Sequence, residues 1–209
     1  MLFVLSLVLI CSAASFGQKL KAIKLLKPQT DGGKPLMQAL KSRKSSRVFS
    51  KKRLPAQTLS NLLWAACGVN RKDGKRTAPS AHNWQEIDIY VALAEGLYLY
   101  DAAANILNPV LAKDIRAAVG IQKFTQDAPV NLIFVTNPLR MGRAKKEEKN
   151  FYSATDTGFI SQNVYLFCAS EGLATVVLGY VDRLALAKKM GLKPDQKIIL
   201  TQPVGYPKK

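Results

Sequence analysis

The stretch Q-E-I-D-I-Y-V-A-L-A-E-G-L-Y-L-Y-D, residues 85–101, indicates the fold class most directly. Apolar residues stand at every second position from 87 to 93, which is the period of a strand with one buried face. The pair Glu95-Gly96 then predicts a turn, after which residues 97–100 continue the alternation. The stretch therefore predicts an antiparallel β-hairpin.

Helix and strand patterns alternate on both sides of this hairpin. Apolar residues with helical spacing, together with start and stop signals, predict helices at 35–44, 55–68, 109–120, 155–172 and 182–191. Short apolar runs predict buried strands at 129–136, 173–178 and 197–201. The chain thus combines a hairpin with strands that are separated by helices. This order predicts an α+β domain with a mixed sheet and helices on both faces.

Two segments precede the predicted domain, which we expect to span residues 35–209. Residues 1–17 begin with the uncharged run M-L-F-V-L-S-L-V-L-I and continue into small residues, a pattern typical of a secretory signal, although no positive residues precede the run. Because those positive residues are missing, the alternative is a buried N-terminal strand or helix. A stable membrane span is not expected, because the run is too short. Cleavage would place the protein in the periplasm or outside the cell, and an intact segment would leave it cytoplasmic. Residues 18–34 are basic and predict an extended arm or linker.

The charge balance is strongly basic. The chain has 31 Lys and Arg against 14 Asp and Glu, a net charge of +17. Such a field attracts nucleic acid, anionic membranes and nucleotide cofactors alike. One hypothesis is therefore a secreted basic protein that binds nucleic acid or anionic surfaces, with affinity that falls steeply as salt rises.

Several kinds of chemistry are excluded by composition and motifs. Zinc sites need clustered Cys and His, whereas this chain has one histidine, His82, and three scattered cysteines, so we expect no metal site. Cys67 and Cys168 stand in apolar surroundings and are predicted to be buried free thiols. The sequence contains no G-x-S-x-G elbow, P-loop or G-x-G-x-x-G fingerprint.

A basic cluster is the first candidate binding site. On a helix, Arg43 and Arg47 would share one face, where two guanidinium groups could grip a phosphate and Ser45 could add a hydroxyl. The alternative interpretation of the cluster is a solvated basic helix end.

Five stretches together resemble the nitroreductase family of FMN flavoproteins. They are R-K-S-S-R-V-F at 43–49, P-S-A-H-N-W at 79–84, D-T-G-F-I-S-Q-N-V-Y-L-F-C-A-S-E-G-L at 156–173, V-V-L-G at 176–179 and P-V-G-Y-P at 203–207. Their order and spacing are those of the family, and the resemblance extends from about residue 35 to the end. The hairpin is similar to the branch that contains azoline dehydrogenases. The resemblance implies an intertwined homodimer with FMN at the subunit interface.

The resemblance also implies three sets of FMN contacts. The set expected to hold the ribityl phosphate and the pyrimidine edge is Arg43, Lys44, Ser45 and Arg47. The loop expected to reach a flavin across the dimer contributes Pro79, Ser80, Ala81 and Asn83, with His82 either a further contact or a surface residue. The strand end expected beside flavin N5 is Val177, Leu178 and Gly179. Lys208 is a candidate for the basic phosphate contact that the family usually places further along the chain.

The implied function is that of an FMN-dependent oxidoreductase that transfers a hydride through flavin N5. The family usually reduces nitroaromatic or quinone-like small molecules, and Phe151 or Tyr152 would stack on the substrate unless they belong to the core. The flavin carries the chemistry, so no catalytic side chain is expected, and NADH or NADPH is a candidate electron donor. An alternative is a dehydrogenase of a peptide or heterocycle, and no nucleic-acid partner is expected for either enzyme.

Overall fold

A seven-stranded sheet forms the centre of the computed structural model, which describes residues 19–208. The strands are β1 (Ile23–Lys24), β2 (Ile87–Leu93), β3 (Gly96–Asp101), β4 (Ile106–Leu111), β5 (Val130–Thr136), β6 (Ala174–Thr175) and β7 (Lys197–Gly205). Their order across the sheet is β1-β4-β3-β2-β5-β7-β6. The predicted signal segment, residues 1–17, lies outside the described residues.

Helices cover both faces of this sheet, as predicted. They are α1 (Leu36–Ser42), α2 (Ala56–Cys67), α3 (Lys146–Glu171) and α4 (Arg183–Met190). The side chain of Asp182 accepts a hydrogen bond from the Ala185 N–H, which confirms the predicted cap of α4. None of the helices within residues 19–208 is long and apolar enough to span a lipid bilayer.

The predicted hairpin is present as β2 and β3, which pair from Tyr90 with Leu99 to Leu93 with Gly96. As the alternation predicted, residues 87, 89, 91 and 93 of β2 share one face of the sheet, where they pack against α2 and α3. Tyr90 and Ala92 are buried as well, because a second cluster that includes α4 covers the opposite face. The sheet therefore separates two hydrophobic cores.

The α+β class is confirmed, but the sheet is antiparallel in every pairing of the described residues rather than mixed. Helix α3 connects β5 to β6, and such a crossover brings two strands into the same direction. They do not become neighbours, because β7 lies between them and pairs antiparallel with both. The C-terminal strand thus replaces the parallel contact that the sequence pattern indicated.

The predicted helix at 109–120 is wrong. Residues Ile106–Leu111 form β4, and only Arg116–Ala118 make a short 3-10 turn. Strand β4 pairs with β3 on one side and with β1 on the other. These backbone hydrogen bonds come from distant parts of the chain, so the local helical spacing did not indicate them. The predicted strand at 173–178 is also shorter than expected, since β6 has two residues and Leu178 forms an isolated bridge with Thr201.

Helix α3 begins earlier than the sequence indicated. Its first residue is Lys146, and the Glu148 carboxylate accepts a hydrogen bond from the Lys145 N–H at 2.9 Å. Thr155 and Asp156, which stand at the predicted start, therefore lie inside the helix. The helix buries one side: Ile160 and Val164 are in the core, whereas Phe151 and Phe159 are exposed.

The basic arm is extended as predicted, yet it belongs to the sheet. Ile23 and Lys24 form β1 against β4, and the Leu25 side chain is buried in the core on the α2 and α3 face. Cys67 and Cys168 are buried free thiols, which confirms that prediction.

Candidate functional site

The basic segment 43–47 follows α1 directly. Helix α1 ends at Ser42, and Arg43 has extended backbone angles, so the expectation of a helix carrying both arginines is wrong. The chain leaves the helix because the Ser46 N–H donates to the Thr175 carbonyl oxygen at 2.8 Å. In an extended segment alternate residues share a side, which still places Arg43, Ser45 and Arg47 together.

Lys44 and Ser46 occupy the other side of this segment. Both line a cleft of about 520 Å³ whose opposite wall is the C-terminal part of α3, including Tyr165 and Cys168. Lys34 and Lys41 line the same cleft, so its rim is basic. The cleft thus adds further cations beside the segment 43–47.

Tyr165, which is not among the predicted contacts, joins this segment to the predicted strand end. Its hydroxyl lies 2.9 Å from the Ser45 hydroxyl and accepts a 2.9 Å hydrogen bond from the Val177 N–H. The Arg43 guanidinium carbon lies 5.3 Å from the centre of the Tyr165 ring, within the range of a cation–π contact. In the sequence, Tyr165 stands within the family-like stretch 156–173, where no local pattern marks it as a contact.

The strand end 177–179 presents its backbone rather than its side chains. Leu178 is buried and exchanges two backbone hydrogen bonds with Thr201, of 2.7 and 3.1 Å. Gly179 is exposed, and the nearest atom to a Cβ built there is 3.9 Å away. A planar group can therefore approach the backbone at Gly179 without displacing a side chain.

Lys208 lies beside the basic segment. Its N–H donates to the Val48 carbonyl oxygen at 3.3 Å, and Pro207 bridges to Phe49. The end of the described chain therefore runs next to Arg47, and the exposed Lys208 is near the other predicted phosphate contacts.

The loop 79–85 occupies a different place. It contains the 3-10 turn Ala81–Asn83, and its N–H groups at Ala81 and Gln85 donate to the Asp156 carboxylate at 2.9 Å and the Ser80 hydroxyl at 3.0 Å. The Asn83 side-chain oxygen accepts from the Gln85 amide at 3.0 Å. Pro79 is exposed at the start of the loop.

This loop holds an unusual backbone. His82, Asn83 and Gln85 have φ angles of 49°, 54° and 48°, in the left-handed region that non-glycine residues rarely adopt. Such conformations persist where surrounding contacts enforce them, and they concentrate at functional sites. Arg140 supplies one such contact, since its guanidinium donates to the Gln85 carbonyl at 2.9 Å and pairs with Asp88 at 2.8 Å.

A buried acidic pair lies beneath the loop. Glu86 is fully buried, and neither of its carboxyl oxygens has a hydrogen-bond partner among residues 19–208. Burial raises the pKa of the Glu86 carboxyl, and the neighbouring negative charge of Asp156 adds to the effect. Burial likewise raises the pKa of Asp156, although the hydrogen bond from Ala81 opposes the shift. Glu86 therefore keeps its proton at mildly acidic pH, where an ordinary glutamate has lost it.

The predicted substrate aromatics lie beside this loop. The His82 ring centre is 4.7 Å from that of Trp84 and 6.5 Å from that of Tyr152, while Phe151 and Tyr152 are 5.1 Å apart. Tyr152 is partly buried in this aromatic cluster, whereas Phe151 is 64% exposed. Phe151 is consequently the more accessible of the two predicted stacking residues.

The predicted contacts thus form two groups on one chain. The segment 43–47, the strand end 177–179 and Lys208 meet near Tyr165, whereas the loop 79–85 is anchored at Asp156. These two α3 residues are nine positions apart, about 13 Å along the helix axis. The loop 79–85 and the segment 43–47 therefore contact α3 at points more than two helical turns apart.

The first group has the chemistry that an FMN molecule requires. Arg43 and Arg47 form no ion pair with any residue of 19–208, so their charges are available to a phosphate. The open backbone at Gly179 offers room for a flat ring system on the same side of the molecule.

Comparisons with known proteins agree with this arrangement. A model of the Nitroreductase family matches residues 40–206. A protein of Methanocaldococcus jannaschii, named as a candidate nitroreductase, is 32% identical over 182 residues, which cover 81% of this chain and 90% of the relative. A candidate nitroreductase from Ralstonia eutropha JMP134, solved at 2.00 Å resolution, is 43% identical with a TM-score of 0.88, and the match covers 92% of each chain.

A more distant structure shares the fold alone. The NADPH:FMN oxidoreductase of Vibrio harveyi, solved in complex with NAD⁺, is 18% identical with a TM-score of 0.63. The match covers 83% of this chain and 69% of that chain.

Proposed function

The chain belongs to the nitroreductase family, and from this premise we propose that it is an FMN-dependent oxidoreductase that transfers a hydride through flavin N5 to nitroaromatic or quinone-like acceptors. The observation that carries the proposal is the meeting of the cationic segment 43–47 with the open strand end 177–179. A phosphate and a flat ring of one ligand would need these two features side by side.

The protein's own residues would bind and orient the cofactor. Arg43 and Arg47 would neutralise the phosphate through charge-assisted hydrogen bonds, with the Ser45 hydroxyl as a further donor. Lys44, on the other side of the segment, and Lys208, beside it, are additional cations. Bound FMN would supply the two-electron chemistry, and a nearby cation would stabilise negative charge on its pyrimidine edge.

We propose a homodimer in which the loop 79–85 completes the site of the partner subunit. The attachment of the loop to α3 at Asp156, about 13 Å along the helix axis from Tyr165, supports this arrangement. The exposed face of α3 supports it too, because Phe151 and Phe159 are 64% and 44% exposed and Gly158 is exposed as well. Asn83 would then approach the flavin of the partner with its side-chain amide nitrogen, which donates to no residue of 19–208.

Phe151 is the residue that we propose to stack on an aromatic acceptor, and NADH or NADPH is the candidate electron donor for a protein that stays in the cytoplasm. The exposure of the Phe151 ring and its contact with Tyr152 support the first assignment. The name of the Vibrio harveyi protein, an NADPH:FMN oxidoreductase solved with NAD⁺, supports the second.

Titration of the purified apoprotein with FMN tests the proposal. We expect flavin absorbance bands to be retained at about one FMN per subunit after gel filtration, and NADPH oxidation that requires a quinone or nitroaromatic acceptor. A protein that binds no FMN but binds DNA, with affinity that falls steeply with salt, would instead be the basic binding protein.

A further inference from the structure

The Tyr165 hydroxyl has a defined hydrogen-bond arrangement. The Val177 N–H can only donate, so the phenolic oxygen is the acceptor of that 2.9 Å bond. The phenolic hydrogen then has one acceptor within residues 19–208, the Ser45 hydroxyl oxygen at 2.9 Å. Because Tyr165 is buried, an unpaired phenolic hydrogen would be costly, and donation to Ser45 is favoured.

This arrangement makes the Ser45 hydroxyl a hydrogen-bond donor to groups outside the chain. Once its oxygen accepts from Tyr165, its own hydrogen is directed away from the phenol and is available to an acceptor outside the chain. Ser45 is exposed and stands between Arg43 and Arg47, so that acceptor would meet two guanidinium groups as well. An anionic oxygen is the acceptor that suits one hydroxyl donor flanked by two cations.

The ring of Tyr165 also contacts Arg43 of the same segment. Arg43 lies over its face at 5.3 Å, which restricts the guanidinium to one side of the extended segment. One side chain thus contacts Ser45, Arg43 and the backbone of the strand end at Val177.

We propose that Tyr165 is a positioning residue for the phosphate of the cofactor: it sets Ser45 as a hydrogen-bond donor and keeps the segment 43–47 in register with the strand end at 177. This inference rests on the proposed function, since it assigns Ser45 to the phosphate of FMN. Tyr165 itself acts through Ser45 and Val177 rather than by touching the cofactor.

The test compares FMN with riboflavin, which lacks the phosphate. Dissociation constants of wild type, Tyr165→Phe, Ser45→Ala and the double variant are measured by quenching of flavin fluorescence on addition of apoprotein. Phe keeps the ring under Arg43 and removes only the hydroxyl. Tyr98→Phe is the matched control, because Tyr98 is a buried tyrosine of β3 whose hydroxyl bonds to no residue of 19–208.

We expect Tyr165→Phe and Ser45→Ala each to weaken FMN binding about tenfold and riboflavin binding less than twofold. The double variant should also lose about tenfold rather than a hundredfold, because both changes weaken the same hydrogen bond from Ser45 to the phosphate. Tyr98→Phe should change neither constant. A residue needed only for folding would weaken both flavins equally.

Equal losses for FMN and riboflavin, additive losses in the double variant, or no loss at all would overturn the role of Tyr165. The exposed position of Ser45 keeps the test informative if Tyr165→Phe folds poorly, since Ser45→Ala must show the same selectivity for the phosphate. A wild-type protein that binds neither flavin would instead overturn the proposed function, and the role of Tyr165 with it.

Discussion

The Asp156 carboxylate of α3 accepts a hydrogen bond of 2.9 Å from the backbone N–H of Ala81, 75 residues earlier in the chain. This bond fastens the loop 79–85 to the long helix that also carries Tyr165. One helix therefore positions both groups of candidate cofactor contacts.

Replacement of Asp156 tests this anchor. Asp156→Ala leaves the Ala81 N–H without its acceptor, and we expect it to weaken FMN binding about tenfold, because the loop no longer holds its strained backbone. Asp156→Asn keeps an acceptor oxygen and should lose much less. Both dissociation constants come from fluorescence titration, and equal effects of the two variants would contradict the anchoring role.

The buried carboxyl of Glu86 predicts a pH dependence of stability. Its pKa is raised from 4.5 to about 7, so the folded state binds more protons than the unfolded state between these values. The free energy of unfolding should therefore fall as pH rises through this range, by up to about 1.4 kcal/mol per pH unit from this group. Glu86→Gln should remove this component of the slope, measured by urea unfolding at several pH values.

Asp73→Asn is the control for that experiment. Asp73 is exposed, and its hydrogen bonds with Lys75 lower its pKa below 3.8, so it does not titrate between pH 5 and 7. Its removal should leave the slope in this range unchanged. A Glu86→Gln curve that runs parallel to the wild-type curve would show that Glu86 is not the group responsible.

The double variant Arg43→Ala with Arg47→Ala tests the phosphate contacts. We expect a folded, colourless protein whose affinity for FMN is at least about 100-fold lower, because two charge-assisted contacts are lost. Lys188→Ala with Lys189→Ala on α4 removes the same charge from an exposed helix and should stay yellow. If the absorbance spectrum shows that the arginine variant retains FMN, the assignment of Arg43 and Arg47 to the phosphate is wrong.

Gly158 provides a test of the proposed dimer. A Cβ built at this exposed position of α3 meets no atom within 4 Å, so a larger side chain costs one isolated subunit little. If a second copy packs against this face, Gly158→Trp should raise the dissociation constant of the dimer tenfold or more. Gly158→Ala should leave that constant unchanged. Sedimentation velocity over a range of concentrations measures both, and an unchanged Trp variant would place the interface elsewhere.

The N-terminus of protein made in its native host tests the proposed export. We expect a mature chain that begins within or just after residues 12–17, where small residues follow the apolar run. Export would favour an organic substrate or a redox partner as the hydride source over NADH or NADPH. An intact Met1 in the soluble cytosolic fraction is the contrary result, and it would favour the nicotinamide donor.

Local patterns predicted those elements whose signals are contained in a few neighbouring residues. The alternation in 87–93 predicted β2 and its turn to β3, and Pro55, Gly68 and Asp182 marked helix ends that the structure has. The five family motifs also stand in the sequence itself, and the family match confirms them.

The sequence by itself determined the hairpin, most helices and the family, because periodicity, capping and motif spacing act between residues a few positions apart. Only the tertiary structure decided that β4 is a strand, that β7 lies between β5 and β6, and that segment 43–47 is extended. It also placed Tyr165 against Ser45 across 120 residues and Asp156 against Ala81 across 75. These outcomes depend on which distant backbone and side-chain groups satisfy one another once buried, and no local pattern carries that information.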